Sequence, residues 1–259
     1  MCFSKAAAAD ECDSRADLRP AVTDIHMHVV PGVDDGARTL DESCEMLRLA
    51  AAQGIKAVFA TPHNAAFLDT DVRAAFRRLQ AEARARATPI ELYLGCELRI
   101  SAATAEHCVR GLADGTYPTM GDSRCVLAEF TFGTPLPDYL YCLNALISNG
   151  YTPILAHMER YAQIDLGFAR ALRNAGALVQ INAYSIADER DEQIKQHANL
   201  FLAERYVDFI GTDAHRTDHR PPLFRSGMNA FRQAYSEEYA ALVTVENPRN
   251  YLAVSAPAR

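Results

Sequence analysis

Asp24-Ile25-His26-Met27-His28 is the stretch of sequence that decides the fold assignment, because it ends an apolar run with two histidines one residue apart. On an extended strand the side chains alternate between two sides, so both imidazoles of this pair point the same way. Three further histidines, His63, His157 and His215, also follow or end short apolar runs. The five histidines therefore predict side chains gathered at one rim of a sheet.

Outward from this stretch, apolar runs and amphipathic segments alternate along the chain. Strands are predicted at residues 23–28, 56–61, 90–97, 125–130, 152–157, 177–182 and 207–212. Helices are predicted at residues 40–53, 72–87, 136–149, 168–174 and 191–205. Nearly continuous apolar strands joined by helices indicate a parallel sheet covered by helices. The fold class is therefore α/β, with a distorted (β/α)7 barrel of the TIM type preferred and an open doubly wound sheet as the alternative.

The composition excludes several classes of protein. A length of 259 residues, 49% of them hydrophobic, is enough for one large α/β domain. The net charge of −7 gives no basic surface for a nucleic-acid partner, and no apolar run reaches the roughly 18 residues of a membrane span. Seven scattered cysteines without C-x-x-C spacing favour a reducing cytoplasm. Residues 1–22 are predicted to be a flexible leader and residues 23–259 a single domain, with the oligomeric state left open.

Nearly every predicted strand ends in, or is directly followed by, a side chain that can bind a metal. In parallel α/β folds these carboxyl ends form the functional face. A lone histidine there is usually structural, yet this many imidazoles and carboxylates would leave buried polar groups unpaired without a metal. Mixed donors of this kind favour manganese, iron or zinc, and eight donors exceed the needs of one ion. Two or three divalent ions are therefore predicted, with the donors His26, His28, His63, Glu97, Glu129, His157, Asp213 and His215.

Longer motifs carry a family resemblance that runs from about residue 23 to residue 222. They are Asp24-Ile-His-Met-His-Val-Val-Pro-Gly-Val-Asp-Asp-Gly36, Ala60-Thr-Pro-His63, Gly95-Cys-Glu97, Leu127-Ala-Glu-Phe130, Pro153-Ile-Leu-Ala-His-Met-Glu-Arg-Tyr161 and Thr212-Asp-Ala-His215 with Arg220-Pro-Pro222. With these motifs the chain resembles the polymerase and histidinol phosphatase (PHP) family. Within that family it is similar to the bacterial manganese-dependent protein tyrosine phosphatases of capsule and exopolysaccharide biosynthesis. It departs from the family's pattern at Met158, where proline is expected, and at Thr131-Phe132-Gly133.

The resemblance implies a PHP-type barrel with a trinuclear site, for which manganese is expected and iron or zinc are alternatives. One ion is expected at His26, His28 and Asp213, a second at Glu129 and His157 with Glu97 bridging to the first, and a third at Asp35, His63 and His215. Asp34 is the alternative to Asp35, because adjacent carboxylates in a glycine-bounded loop can exchange roles.

Two arginines are expected to bind the phosphoryl group. Arg160, three residues after His157, and Arg220, five after His215, are expected to stand nearest the metals, and a guanidinium matches phosphate bidentately. Together with Glu97 and Asp213 they make up the predicted catalytic residues. Metal-activated water is the expected nucleophile. A cysteine nucleophile is not expected, because Arg stands six positions after none of Cys44, Cys96, Cys108, Cys125 and Cys142.

The expected reaction is hydrolysis of phosphotyrosine in a protein substrate. The tail of an autophosphorylating bacterial tyrosine kinase of polysaccharide biosynthesis is the expected partner, and it follows only from the resemblance. Phe67, Phe132 and Tyr184 are the aromatic residues best placed to contact the substrate ring. Two alternatives stay open: a phosphatase of a small phosphomonoester such as histidinol phosphate or of a phosphodiester end, and a non-catalytic metal-binding module.

Overall fold

The computed structural model describes residues 22–187 and 191–254. The predicted leader lies outside the described residues except for Val22. The described helices include none that is long and apolar enough to cross a membrane.

Within the described residues, eight strands, all paired in parallel, form the sheet system. Their bounds are β1 Thr23–Met27, β2 Ala57–Ala60, β3 Glu91–Leu94, β4 Glu97–Arg99, β5 Cys125–Glu129, β6 Thr152–Leu155, β7 Leu178–Asn182 and β8 Phe209–Gly211. Pairing runs β1-β2-β3 in one sheet and β4-β5-β6-β7-β8 in the other. The prediction of one strand over residues 90–97 was wrong, because the chain breaks at Gly95-Cys96 into β3 and β4. Gly95 packs against Met120 at the break and leaves no room for a side chain, because an added Cβ would lie 2.7 Å from Met120 Sδ.

Hydrogen bonds at the strand ends join the two sheets into a ring. The amide of His28 donates to the Ala214 carbonyl at 2.8 Å, and the amide of Asp213 donates to the His26 carbonyl at 2.8 Å, which links the end of β8 to β1. On the other side, a parallel bridge between His63 and Glu97 links the chain after β2 to β4. The strands therefore follow one another round a distorted barrel, as predicted, and the open doubly wound sheet is not adopted.

Strand alternation sorts the core into two layers. A small cluster takes alternate strand residues, among them Phe59, Leu127, Ile154 and Phe209, and fills the inside of the ring. The larger cluster contains the intervening strand residues and packs them against the helices. The inside of the ring is therefore a packed core.

Ten helices cover the described part of the ring. They are α1 Leu40–Ala52, α2 Ala66–Asp69, α3 Val72–Ala85, α4 Ala105–Ala113, α5 Leu136–Ser148, α6 Leu166–Ala175, α7 Glu192–Ala203, α8 Arg225–Ala234, α9 Glu237–Ala241 and α10 Asn247–Leu252. The five predicted helices are present, each shifted by a few residues at most. Helices α2, α4 and α8 to α10 were not predicted.

Candidate metal centre

Glu97 is the centre of the histidine cluster. Although it was predicted to end the third strand, it begins β4, and its side chain is 1% exposed. Its Oε1 lies 3.0 Å from His157 Nε2 and 3.2 Å from His26 Nε2. Its Oε2 lies 3.1 Å from His63 Nδ1 and 3.2 Å from His28 Nε2. One buried carboxylate therefore faces four imidazoles from the ends of three strands, β1, β2 and β6, the position that a bridging ligand requires.

The donor atoms fall into three overlapping groups, each within 4.8 Å of one another: His26, His28 and Asp213; His28, Asp35, His63 and His215; and His63, Glu97 and Glu129. The first and second contain the predicted sets around Asp213 and Asp35. The third differs from the predicted set, because His63 takes the place of His157. His157 Nε2 nevertheless lies 3.8 Å from Glu129 Oε1, so it stands at the edge of that group.

The two adjacent aspartates have separate surroundings. Asp35 Oδ1 lies 3.4 Å from His215 Nε2 and 3.6 Å from His63 Nε2, so Asp35 faces the cluster. Asp34 Oδ2 instead contacts His28 Nδ1 at 2.8 Å and accepts from the His63 amide at 3.1 Å. Burial alone would lower the pKa of His28, but Asp34 and Glu97 raise it well above its ordinary value. Asp34 thus orients the His28 ring, and Asp35 turns its carboxylate to the cluster.

The charges of the centre are balanced between carboxylates and imidazoles. Burial would raise the pKa of Glu97, yet the surrounding histidines, His26 first among them, hold it well below its usual range. Burial lowers the pKa of His63 and of His215, and the neighbouring His28 lowers both further. Neutral imidazole is the form that binds metal through a ring nitrogen. His63 and His215 are therefore suited to ligation near neutral pH.

Asp213 connects the cluster to the two arginines. Its Oδ1 lies 3.6 Å from His26 Nε2. Its Oδ2 accepts from Arg160 Nη1 at 3.2 Å and from Arg220 Nη1 at 2.7 Å. The two arginine side chains are only 24% and 28% exposed, so both charges are held at the mouth of the cluster. This arrangement places a cationic pair beside the candidate metal donors, where an anionic group would bind.

Several supporting residues were missed in the sequence. Gln180 Oε1 accepts from the His157 amide at 2.8 Å and lies 3.3 Å from His26 Nδ1. Asn182, two residues further along β7, donates to Asp213 Oδ2 at 3.3 Å. Both are buried polar residues at alternate positions of an apolar strand, and that spacing was the available signal.

A third arginine, also missed, stands on the opposite side of the centre. Arg99 Nε donates to Glu129 Oε2 at 2.8 Å. Arg99 follows Glu97 by two residues, so strand alternation places both on one side of β4. The sequence signal was therefore the same alternation that identified the histidine pair.

Several ring nitrogens of the cluster are better placed to bind a cation than to form hydrogen bonds with one another. His26 Nε2 and His28 Nε2 lie 3.3 Å apart, where only one of two neutral rings can supply a proton. The buried His63 Nδ1 lies 3.1 Å from Glu97 Oε2 but makes no hydrogen bond within residues 22–187 and 191–254. Buried polar atoms are normally paired, and ligation by a shared ion would satisfy such converging ring nitrogens. The fold and the site together define a (β/α) barrel protein with a candidate metal centre and two arginines beside it.

The chain belongs to the capsular polysaccharide synthesis CpsB/CapC family, whose sequence model matches residues 22–253. It is 28% identical over 240 residues to the tyrosine-protein phosphatase CpsB of Streptococcus agalactiae serotype III (strain NEM316), covering 88% of this chain and 97% of that protein. It is 28% identical over 228 residues to the tyrosine-protein phosphatase YwqE of Bacillus subtilis (strain 168), covering 85% and 88%.

A solved structure agrees with this assignment. A chain from the crystal structures of YwqE from Bacillus subtilis and CpsB from Streptococcus pneumoniae, described as unique metal-dependent tyrosine phosphatases, superposes with a TM-score of 0.78. The sequence identity is 28%, and the match covers 89% of this chain and 94% of that chain. The resemblance seen in the motifs is thereby confirmed.

Proposed function

We propose that this chain is a metal-dependent protein tyrosine phosphatase that hydrolyses phosphotyrosine without a cysteine nucleophile. The observation that carries the proposal is the position of Asp213, with one oxygen turned to the histidine cluster and the other bound by Arg160 and Arg220. The names of the relatives, tyrosine-protein phosphatases, support it.

The three donor groups are proposed to hold two or three divalent ions, with manganese first and iron or zinc as alternatives. Glu97 would bridge two ions, because both of its oxygens face histidines. Bound divalent ions lower the pKa of water toward neutrality and polarise phosphoryl oxygens. The chain's own residues would orient the metal donors and bind the phosphate group of the substrate.

Arg160 and Arg220 are proposed to bind the phosphoryl oxygens. Their guanidinium groups approach the same Asp213 oxygen, so both can turn planar N–H donors toward one anion. Buried Asp213 would keep them in place before substrate arrives. Because each arginine is about one quarter exposed, the pair remains accessible from solvent.

The described cysteines do not suit nucleophilic catalysis. Cys44, Cys96, Cys108, Cys125 and Cys142 are all buried, and none of these five forms a disulfide. Burial raises the pKa of Cys125 to about 11 and that of Cys142 to about 12, so both remain thiols near neutral pH. Water activated at the metal centre is therefore the proposed nucleophile.

The substrate is proposed to be phosphotyrosine in the tail of a bacterial tyrosine kinase of polysaccharide biosynthesis, in the cytoplasm. To test the activity, manganese-loaded protein is assayed on a phosphotyrosine peptide and on histidinol phosphate. We expect phosphate release from the peptide that is lost with chelator, restored by manganese and unaffected by thiol alkylation. Preference for histidinol phosphate would favour the small-substrate alternative, and no turnover on any phosphoester would favour a non-catalytic module.

Two substitutions separate metal binding from phosphate binding. His28→Ala removes a ring whose Nε2 faces Glu97 at 3.2 Å, so we expect loss of both bound metal and activity. Arg160→Ala removes a proposed phosphate donor and leaves Asp213 Oδ2 bound by Arg220, so we expect full metal content, weaker inhibition by inorganic phosphate and roughly 100-fold lower kcat/KM. Metal content by elemental analysis distinguishes them. Equal metal loss in both variants would contradict the assigned roles.

A further inference from the structure

An exposed aromatic ring stands beside the proposed phosphate site. Phe132 lies in the loop between β5 and α5 and is 57% exposed. Its ring centroid is 5.0 Å from the Arg160 guanidinium carbon and 5.8 Å from the Tyr161 ring centroid. Because Arg160 also donates to Asp213, a single side chain separates this ring from the metal donors.

The two other aromatic residues singled out in the sequence are less suitable. Phe67 is only partly exposed, and the Arg73 guanidinium carbon lies over its ring at 5.6 Å. Tyr184 is also partly covered, and its hydroxyl accepts from Asn182 Nδ2 at 3.3 Å. Of the three, Phe132 alone combines a largely exposed ring with a direct contact to a proposed phosphate ligand.

We propose that Phe132 determines specificity for aryl phosphates by packing against the substrate ring while Arg160 binds the phosphate. This inference rests on the proposed function. In phosphotyrosine the ring is attached directly to the bridging oxygen of the phosphate ester, so a phosphate at Arg160 brings the ring next to Phe132. Paired aromatic rings gain about 0.5–1.5 kcal/mol beyond the area they bury, corresponding to roughly two- to tenfold in kcat/KM. An alkyl phosphate has no ring to make this contact.

Two other roles for Phe132 make different predictions. A core residue would be buried, and this ring is more than half exposed. A residue that only braces Arg160 through its cation–π contact would act on every phosphate ligand equally. Selectivity between aryl and non-aryl ligands is therefore the measurement that separates specificity from bracing.

The experiment uses the full chain loaded with manganese and three variants: Phe132→Ala, Phe132→Leu and Phe132→Tyr. We measure kcat/KM on a phosphotyrosine peptide and the inhibition constant of inorganic phosphate, which has no ring. We expect Phe132→Ala and Phe132→Leu to lower kcat/KM roughly two- to tenfold, mainly through KM, with unchanged phosphate inhibition. Phe132→Tyr should retain the wild-type values. Tyr141→Ala is the matched control, since Tyr141 is 53% exposed on α5 and has no assigned role.

The outcomes separate this inference from the proposed function. If the wild type cleaves the phosphotyrosine peptide and Phe132→Ala leaves kcat/KM unchanged, the inference is wrong and the phosphatase assignment stands. Loss of phosphate inhibition in parallel with kcat/KM also overturns it, in favour of a bracing role. If the manganese-loaded wild type cleaves no aryl phosphate, both proposals are wrong.

Discussion

Gly36 is the position where a single added carbon should disturb the metal centre most specifically. A Cβ built on Gly36 would lie 2.1 Å from the His28 carbonyl oxygen and 2.5 Å from His28 Cβ. An ordinary carbon–oxygen contact is about 3.3–3.6 Å, so Gly36→Ala must move the loop or β1 by at least about 1.2 Å. The atoms in the way belong to backbone and Cβ, so no side-chain rotation relieves the clash.

The displaced loop carries both aspartates. Gly36 donates its amide to Asp34 Oδ1 at 3.0 Å, and Asp34 Oδ2 contacts His28 Nδ1 at 2.8 Å. A shift of about 1.2 Å that moves Asp34 away from these partners would lengthen both contacts beyond hydrogen-bonding distance. Loss of such an orienting partner typically weakens metal binding by about 10–100-fold. Asp35 moves with the same loop, so we expect the effect to be greatest for the ion proposed at Asp35, His63 and His215.

Manganese titration of metal-free protein, followed by elemental analysis after dialysis, measures this effect. We expect Gly36→Ala to retain about one fewer manganese ion per chain than the wild type and to lose most activity. Gly167→Ala is the matched control, because a Cβ there meets only the Asp165 side chain, at 3.3 Å. Wild-type stoichiometry and affinity in Gly36→Ala would refute both the steric reasoning and the role of the aspartate loop.

Two further predictions concern stability. Removal of metal with chelator should lower the melting temperature (Tm) by roughly 5–10 °C, because an ion at 100 times its Kd stabilises the folded state by about 2.7 kcal/mol. If adding manganese back to the metal-free protein leaves its Tm unchanged, the result contradicts a bound metal. Burial raises the pKa of Asp208 to about 6 in the folded chain, against an ordinary value of 3.8. The titration of Asp208 alone therefore lowers the stability of the wild type by up to about 3 kcal/mol as the pH rises from about 4 through about 6. Asp208→Asn should lack this loss while still accepting the Val179 amide, so parallel stability profiles in urea at pH 4.5 and 7.5 would disprove the shift.

The positions of the strands along the chain and the rim residues could be predicted because both follow from local sequence pattern. Apolar runs define strands, and a polar residue at the end of such a run must lie at the carboxyl edge of a parallel sheet. This reasoning identified Glu129 and His157 without any knowledge of which strands are neighbours. It could not locate the break at Gly95-Cys96, because the contact with Met120 comes from a distant part of the chain.

Helix α4 shows why some helices were missed. Gly111 lies inside it, and glycine disfavours a helix interior by about 1 kcal/mol relative to alanine. A Cβ at this position would lie 2.4 Å from Tyr117 Cε2, so the glycine provides space for a buried ring. Tertiary packing thus requires the residue that local propensity disfavours. Gln180 was missed for a related reason, since its importance depends on His26 and His157 from two other strands.

The orientations of the site side chains depend on contacts that form only in the closed barrel. His157, Asp213 and Arg220 have φ values of 33°, 52° and 52°, in the left-handed region that costs a residue with a side chain about 1–2 kcal/mol. Bonds to other segments hold two of them: the His157 amide donates to Gln180 Oε1 at 2.8 Å, and the Asp213 amide donates to the His26 carbonyl at 2.8 Å.

Strain of this kind persists only where the surrounding structure fixes it, because the isolated segments would relax to ordinary backbone conformations. The donors can therefore be named from each strand separately, but they converge only when β1, β6, β7 and β8 are paired. It follows that metal affinity should be a property of the folded barrel. A peptide spanning residues 152–161 alone should bind manganese far more weakly than the intact chain.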